Sequence, residues 1–316
     1  MSTSLTYAHT ATDLEQSLRQ TLQSAGLLVP IKNISPSGIE GLLLVALDGQ
    51  QEPLLITTTA DYVIQGNIET NPSPAQPISQ HLLSAHQAAG TPVSPAYKKA
   101  LLANMASLKN MTADSAFYHT NIASILWGVS GQGGAPFLVS RDGRKFINGE
   151  ISGIEHGQFT GLDSKFERAK NRHVFGTLNQ DTLTTYPAKQ SKATIYVVSD
   201  IHCPYCKIFH RHIPAFNAQG INVHIIAYPI YEESAEPMRQ IWCQTNNQKR
   251  ASLLNAAMQG VMPNQQCQNK QNFMLDNQKR AQSLAFVATP AIYRDNGELF
   301  EGDFTSDEFL QFLGLN

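Results

Sequence analysis

Cys203 and Cys206 stand two residues apart in the run Ser199-Asp200-Ile201-His202-Cys203-Pro204-Tyr205-Cys206-Lys207. Two cysteines at that spacing can trade a disulfide, supply half of a zinc site, or coincide by chance. Their surroundings favour the first. Upstream, Thr194-Ile195-Tyr196-Val197-Val198 is almost unbroken in β-branched and aromatic residues, as in a strand buried on both faces, and the sequence after Cys206 reads as helix. The pair therefore caps a helix, where unpaired backbone N–H groups and the positive end of the dipole favour a thiolate on Cys203. A thiolate is the attacking species in disulfide exchange. Cys206, one helical turn on, is sheltered and placed to resolve a mixed disulfide formed on Cys203. Pro204 suits the first turn because the donor it lacks would be unpaired there anyway. His202 either favours the thiolate further when protonated or merely occupies an exposed turn, and Tyr205 lies at the exposed tip, where it shapes contact with substrate.

A second segment bears on the same chemistry. Thr289-Pro290 opens the first strand of a hairpin, Ala291-Ile292-Tyr293-Arg294 and Leu299-Phe300-Glu301-Gly302 around the turn Asp295-Asn296-Gly297-Glu298. If the bond before Pro290 is cis, the bend leaves the preceding backbone free to pair with an incoming extended peptide; the alternative is a trans proline at an edge strand.

The elements that must position these residues follow from periodicity. Strand 194–198, a helix after Cys206, a buried strand Ile221-Asn222-Val223-His224-Ile225-Ile226-Ala227-Tyr228, helical patterns over 234–244, 248–258 and 270–285, the hairpin, and a last helix capped by Thr305-Ser306-Asp307-Glu308 give the thioredoxin order with a helical insertion. Pro187-Ala188-Lys189-Gln190-Ser191-Lys192 marks the boundary before it. Thr160 to Ala169 predicts a connecting helix, with an N-cap and a first-turn acid. At the other end, Thr12 and Glu15 form a capping box for a helix with Leu14, Leu18, Leu22 and Ala25 on one stripe, ended by Gly26. Strands are expected at 41–47, 54–57 and 62–68, and a proline-stiffened linker begins at Asn71 to Pro77.

An offset of 83 positions carries Pro53 onto Pro136 and, with it, Leu54-Leu55-Ile56-Thr57 onto Phe137-Leu138-Val139-Ser140. The same offset matches Ile64, Gly66 and Ile68 with Ile147, Gly149 and Ile151, and Leu14, Leu18 and Leu22 with Tyr97, Leu101 and Met105. One offset that keeps both a helix stripe and a strand pattern implies a duplicated module, against the alternative of two unrelated segments sharing a rhythm. The expected fold is α+β and multidomain: a first module at 1–82, a second at 83–158, a linker helix and connector at 159–190, and a thioredoxin-like catalytic domain at 191–316.

Bulk composition limits the partners. The chain has 316 residues, net charge −2 and no dense basic tract, which argues against nucleic acid. Charged residues are only 15%, with Gln, Asn, Ser and Thr in their place, a secreted or periplasmic habit. No apolar run reaches the ~18 residues that span a bilayer, and the first residues do not read as a secretion signal, so either the protein is cytosolic or the signal has been removed. The 4 cysteines fit two disulfides and favour the second account. Metal is not expected, since Cys203 and Cys206 lack a second Cys-x-x-Cys to complete a zinc site, and no cofactor beyond the cysteine pair is called for. His210, His212 and His224 have no ligand spacing and read as packing or surface residues. Glu232-Glu233 reads as a solvated loop, and Trp127 and Trp242 as core.

Over its last ~130 residues the chain resembles the periplasmic disulfide isomerase and reductase family of the DsbC and DsbG type. Cys203-Pro204-Tyr205-Cys206 and Val287-Ala288-Thr289-Pro290-Ala291-Ile292-Tyr293 resemble the DsbG pattern, and Ile241-Trp242-Cys243 followed by Cys267 resembles DsbC. The resemblance implies that Cys203 attacks, Cys206 resolves and the loop of Thr289 and Pro290 binds substrate. It also favours a structural disulfide between Cys243 and Cys267 over a second redox pair. The family's amino-terminal part is a small cystatin-like module that dimerises, and both repeats resemble it, notably at Tyr62-Val63-Ile64-Gln65-Gly66. Implied partners are client proteins with disulfides or oxidised cysteines and a membrane thiol reductase of the DsbD type. A homodimer through the amino-terminal modules is expected, with pairing inside one chain, giving a monomer, as the alternative. Three activities fit: an isomerase or reductase, a disulfide donor, and a holdase chaperone or binding scaffold in which the cysteines are incidental.

Overall fold

The computed structural model describes residues 3–49, 51–73, 75–84, 87–131, 134–265, 267 and 273–315. The chain divides into two compact units, Met1–Phe166 and Glu167–Asn316.

The first unit begins with helix α1 (Thr3–Ser24) and strands β1 (Ile31–Pro36), β2 (Leu42–Leu47), β3 (Leu54–Thr57), β4 (Tyr62–Gln65) and β5 (Ile68–Thr70). Short helix α2 (Gln80–Ser84), α3 (Pro95–Asn104) and strands β6 (Ala116–His119), β7 (Ile125–Val129), β8 (Pro136–Ser140), β9 (Lys145–Ile147), β10 (Glu150–Glu155) and β11 (Gln158–Leu162) follow. They build two sheets, in the orders β1-β2-β3-β4-β10-β11 and β5-β9-β8-β7-β6. Each sheet has its own core. Leu18 and Leu22 of α1 pack with Val45, Leu54, Ile56 and Val63, and Tyr97, Leu101 and Met105 of α3 region pack with Phe117, Leu126 and Val139. Burial of such side chains contributes about 1.5–3 kcal/mol each.

Three expectations need correction here. The first helix starts at Thr3, so Thr12 and Glu15 lie inside it; Glu15 is engaged by Arg19 one turn on, at 2.8 Å, instead of closing a capping box. The expected strand 62–68 is two strands, because the chain turns at Gly66 and Asn67 and passes from one sheet to the other. The helix expected from Thr160 starts at Ser164, since Gln158 to Leu162 pair with β10, and Asp163 accepts from the Phe166 N–H as the N-terminal cap.

In the second unit a five-stranded sheet runs in the order β12 (Thr184–Tyr186), β14 (Ile221–Ala227), β13 (Ala193–Ser199), β15 (Ala291–Arg294), β16 (Leu299–Phe300). Only β13 and β14 are parallel, joined by α5 (Pro204–Ala218). Helix α4 (Ser164–Thr177) precedes the sheet, α6 (Ala235–Trp242), α7 (Asn247–Met258) and α8 (Phe273–Ala281) lie in sequence between β14 and β15, and α9 (Asp307–Leu313) ends the chain. The first residues of the helical pattern at 270–285, Lys270 to Asn272, lie outside the described residues. The core is filled by Ile195, Val197, Val223 and Ile225 from the sheet, Phe209 and Phe216 from α5, and Trp242. Trp127, in the first unit, is buried as well.

Cys243, at the end of α6, is bonded to Cys267, with Cα atoms 5.7 Å apart and a sequence separation of 24. Closing a loop of that length in the unfolded chain contributes about 3–4 kcal/mol. Replacing both residues by Ala should therefore lower the unfolding free energy from urea titration by about 3–4 kcal/mol, measured on protein whose other two cysteines are reduced.

Candidate active site

β13 and α5 together deliver the cysteines. Ile195, Val197 and Val198 hold β13 in the middle of the sheet, and the chain leaves it at Ser199 into a short turn that ends at Cys203. Cys203 is the N-cap of α5, in extended backbone, with Pro204 as the first helical residue. Its sulfur accepts the Cys206 N–H at 3.4 Å, so an otherwise orphaned helix donor points at it. Both cysteines are free thiols.

The turn is held by Asp200, which is fully buried. One carboxylate oxygen accepts the His202 N–H at 2.7 Å and the Ser234 hydroxyl at 2.6 Å; the other accepts the Ile230 N–H at 2.7 Å. Because the single proton of Ser234 goes to Asp200, the 2.8 Å contact between Ser234 Oγ and His202 Nδ1 requires Nδ1–H to donate. The imidazole beside Cys203 is thereby fixed in orientation and tautomer. Sequence inspection passed over Asp200 as a functional group and placed Ser234 only at a helix start. A carboxylate directly after a buried strand and two residues before His202 is a signal for Asp200, whereas nothing local marks Ser234, which meets it from 34 positions away.

Thr289 and Pro290 come to the same place. Their peptide bond is cis, and the Cys203 thiol donates to the Thr289 carbonyl at 3.3 Å across 86 positions of sequence. The Thr289 hydroxyl is buried and makes no hydrogen bond among the described residues while Cys203 is a thiol, so its proton is free to stabilise the sulfur once that is an anion. Cys203 is itself only 4% exposed, while its neighbours Pro204 and Tyr205, and Val287 and Ala288 on the other segment, are exposed.

The electrostatics separate the two thiols. Hydrogen bonding from Cys206 is the main influence that lowers the Cys203 pKa to about 5, with further help from Thr289 and the backbone N–H groups of Cys206 and Tyr205, all against the cost of burial. Cys206, fully buried, is pushed far up, first by desolvation and then by the neighbouring sulfur. One thiol is favoured as the anion and the other keeps its proton. The remaining histidines serve packing: His210 faces Asn255 at 2.7 Å and His224 faces Thr185 at 3.0 Å, and burial lowers the pKa of both. His212 lies 3.0 Å from the Ile208 carbonyl in its own helix. Glu232 and Glu233 are exposed.

Comparison with known proteins meets this geometry from the outside. Residues 179–315 match the family model described as a thioredoxin-like domain. The chain is 26% identical over 197 residues to the thiol:disulfide interchange protein DsbC of Haemophilus influenzae, covering 61% of this chain and 80% of that one. With DsbC of Escherichia coli K12 it shares 27% over 183 residues, 55% of this chain and 71% of the relative. Both stretches are longer than the matched domain, so the similarity extends upstream of residue 179. A disulfide interchange protein from Neisseria gonorrhoeae aligns in structure at 19% identity with a TM-score of 0.37, over 44% of this chain and 99% of its own. The catalytic domain of Proteus mirabilis ScsC aligns at 18% and 0.39, over 45% and 96%; scores this low decide nothing further. Among the described residues, no helix is long and apolar enough to cross a membrane. The chain carries a thioredoxin-like domain and shares with DsbC more than that domain alone, which makes it similar to the DsbC-type thiol–disulfide interchange enzymes.

Proposed function

We propose that this protein reduces or isomerises non-native disulfides, or reduces oxidised single cysteines, in client proteins of the periplasm, with Cys203 as nucleophile and Cys206 as resolving thiol. The observation that carries this reading is the Cys203 sulfur at a helix N-cap, 3.3 Å from the Thr289 carbonyl, with its pKa lowered to about 5. The Cys203 thiolate attacks one sulfur of a client disulfide; a bond forms between the two and the other client sulfur leaves as a thiolate. In isomerisation a different client thiolate attacks the client sulfur bonded to Cys203; the new client disulfide forms, the mixed disulfide breaks, and Cys203 leaves as its thiolate. In reduction Cys206 loses its proton and attacks Cys203, the Cys203–Cys206 disulfide forms, and the client departs with two thiols. Formation of the mixed disulfide removes the negative charge on Cys203, one of the influences holding the Cys206 proton in place.

Pro204 and Tyr205 on one side and Thr289 and Pro290 on the other form the client contact, with Val287 at its exposed margin. An extended client segment would pair with the backbone beside Pro290. A dithiol donor of the DsbD type, at the membrane, would restore the reduced pair. The test is reduction of insulin under a small-molecule reductant: wild type should accelerate precipitation of the B chain and Cys203→Ser should run at the rate of the reductant alone. Equal rates for the two would sink the proposal.

The disulfide-donor reading is kept by one observation. A lowered Cys203 pKa stabilises the reduced pair and so makes the oxidised pair a better oxidant. Titration of the pair against glutathione separates the readings.

A further inference from the structure

The two sheets of the first unit each contain a strand that does not belong to their own stretch of sequence. Under the 83-position offset, β1 to β5 fall on β6 to β10, their starting residues agreeing to within about two positions. Yet β5 leaves the first set to pair with β9, and β10 leaves the second set to pair with β4. The registers repeat as well. Ile68↔Ile147, Glu69↔Phe146 and Thr70↔Lys145 on one side become, after the offset, Ile151↔Ile64, Ser152↔Val63 and Gly153↔Tyr62, which are the pairs of the other side. A single twofold-like operation inside the chain therefore relates both exchanges.

The crossing point has a sequence signature. Gly66 and Gly149 are equivalent under the offset, and each lies where the two connections pass each other. A Cβ on Gly66 would collide with the Asn148 carbonyl oxygen, and one on Gly149 with the Gln65 carbonyl oxygen. Only glycine permits that mutual approach.

The four edges left over, β1, β11, β5 and β6, are poorly suited to recruiting a second copy; β11 is irregular in its register with β10 and has Gly161 at positive φ. The outer side of β6 is already used: His119 donates to the Thr91 carbonyl at 2.9 Å, and Gly90 and Val93 donate to the His119 and Phe117 carbonyls at 2.8 and 2.9 Å. β1 carries Lys32 and ends in Pro36, and β5 is three residues long. Pairing within the chain also has the advantage of tethering. Being joined in one chain presents one repeat to the other at an effective concentration of roughly the millimolar range, so a second copy at micromolar concentration is outcompeted by roughly a thousandfold.

We infer that the amino-terminal unit is a dimer written into one chain: the two repeats exchange β5 and β10 with each other, this uses up the surfaces that would pair with another copy, and the protein is a monomer with a single Cys203 site. The inference is independent of the redox role of that site. Light scattering on the full chain, from about 1 to 100 μM, should give a constant mass of 34.7 kDa. Gln65 and Glu150 face each other across β4 and β10 and are exposed. In a Cys203→Ser, Cys206→Ser background, Gln65→Cys with Glu150→Cys should therefore link within the chain on oxidation, both new thiols disappearing with no covalent dimer on a non-reducing gel. A mass near twice the monomer value, a covalent dimer through these two positions, or failure to link at all would each overturn it.

Discussion

Iodoacetamide should modify Cys203 in the reduced native protein with a midpoint near pH 5, while Cys206 stays unmodified until the protein unfolds. At pH 6 a thiol of pKa about 5 is some nine-tenths thiolate and one at the ordinary value of 9.0 about one-thousandth, a population advantage of about 10³. Nucleophilicity falls with basicity at a slope of about 0.4–0.5, which over these four pH units takes back about 40- to 100-fold. Cys203 is thus expected to react about tenfold faster at pH 6 than an unperturbed thiol. The linkage to stability has a definite sign. A folded-state pKa held below the unfolded one stabilises the reduced fold above the unfolded value near 9, and that contribution is lost as pH falls from there through about 5. The same measurement tests access. With only 4% of Cys203 exposed, a native protein that resists alkylation across this whole range would place the sulfur beyond reach of any client and end the assignment.

Cys206→Ser should convert a transient intermediate into one that can be isolated. With Cys203 still lowered by its backbone donors and Thr289, attack on a client disulfide proceeds, but nothing inside the protein can resolve the product. Mixing the variant with an oxidised, misfolded client and quenching with acid should give a covalent adduct on a non-reducing gel. It should be stable for minutes, whereas the wild-type adduct decays as fast as Cys206, one turn away in α5, can attack. Cys206→Ala, which leaves no side-chain donor in that place, should also move the alkylation midpoint upward, because the Cys206 hydrogen bond is the largest influence on Cys203. Adducts forming equally with Cys203→Ser would assign the attack to another residue.

Much of the catalytic domain was legible because its signals are local. The buried strand before Cys203, the proline at the first helical position, the hairpin turn at Asp295 to Glu298 and the apolar spacing of α5 each specify their own few residues through backbone preference and burial pattern. The 83-position offset was equally open to inspection, since it needs only comparison of the sequence with itself. The capping box at Thr12 failed for a related reason: a local pattern was read as a boundary, and the helix runs through it.

Tertiary structure decided everything that depends on which distant groups meet. Ser234 could not be assigned from sequence because its role exists only where it bridges Asp200 and His202. The Thr289 carbonyl is an ordinary backbone group until folding brings it beside Cys203. The strand expected over 62–68 has the right residues for pairing, but which sheet accepts each half is set by competition between edges, a property of the assembled chain. Residue type alone determined that a reactive thiol pair could exist here. Only the fold, by removing water from one sulfur and turning donors toward the other, determined which of the two would carry the charge.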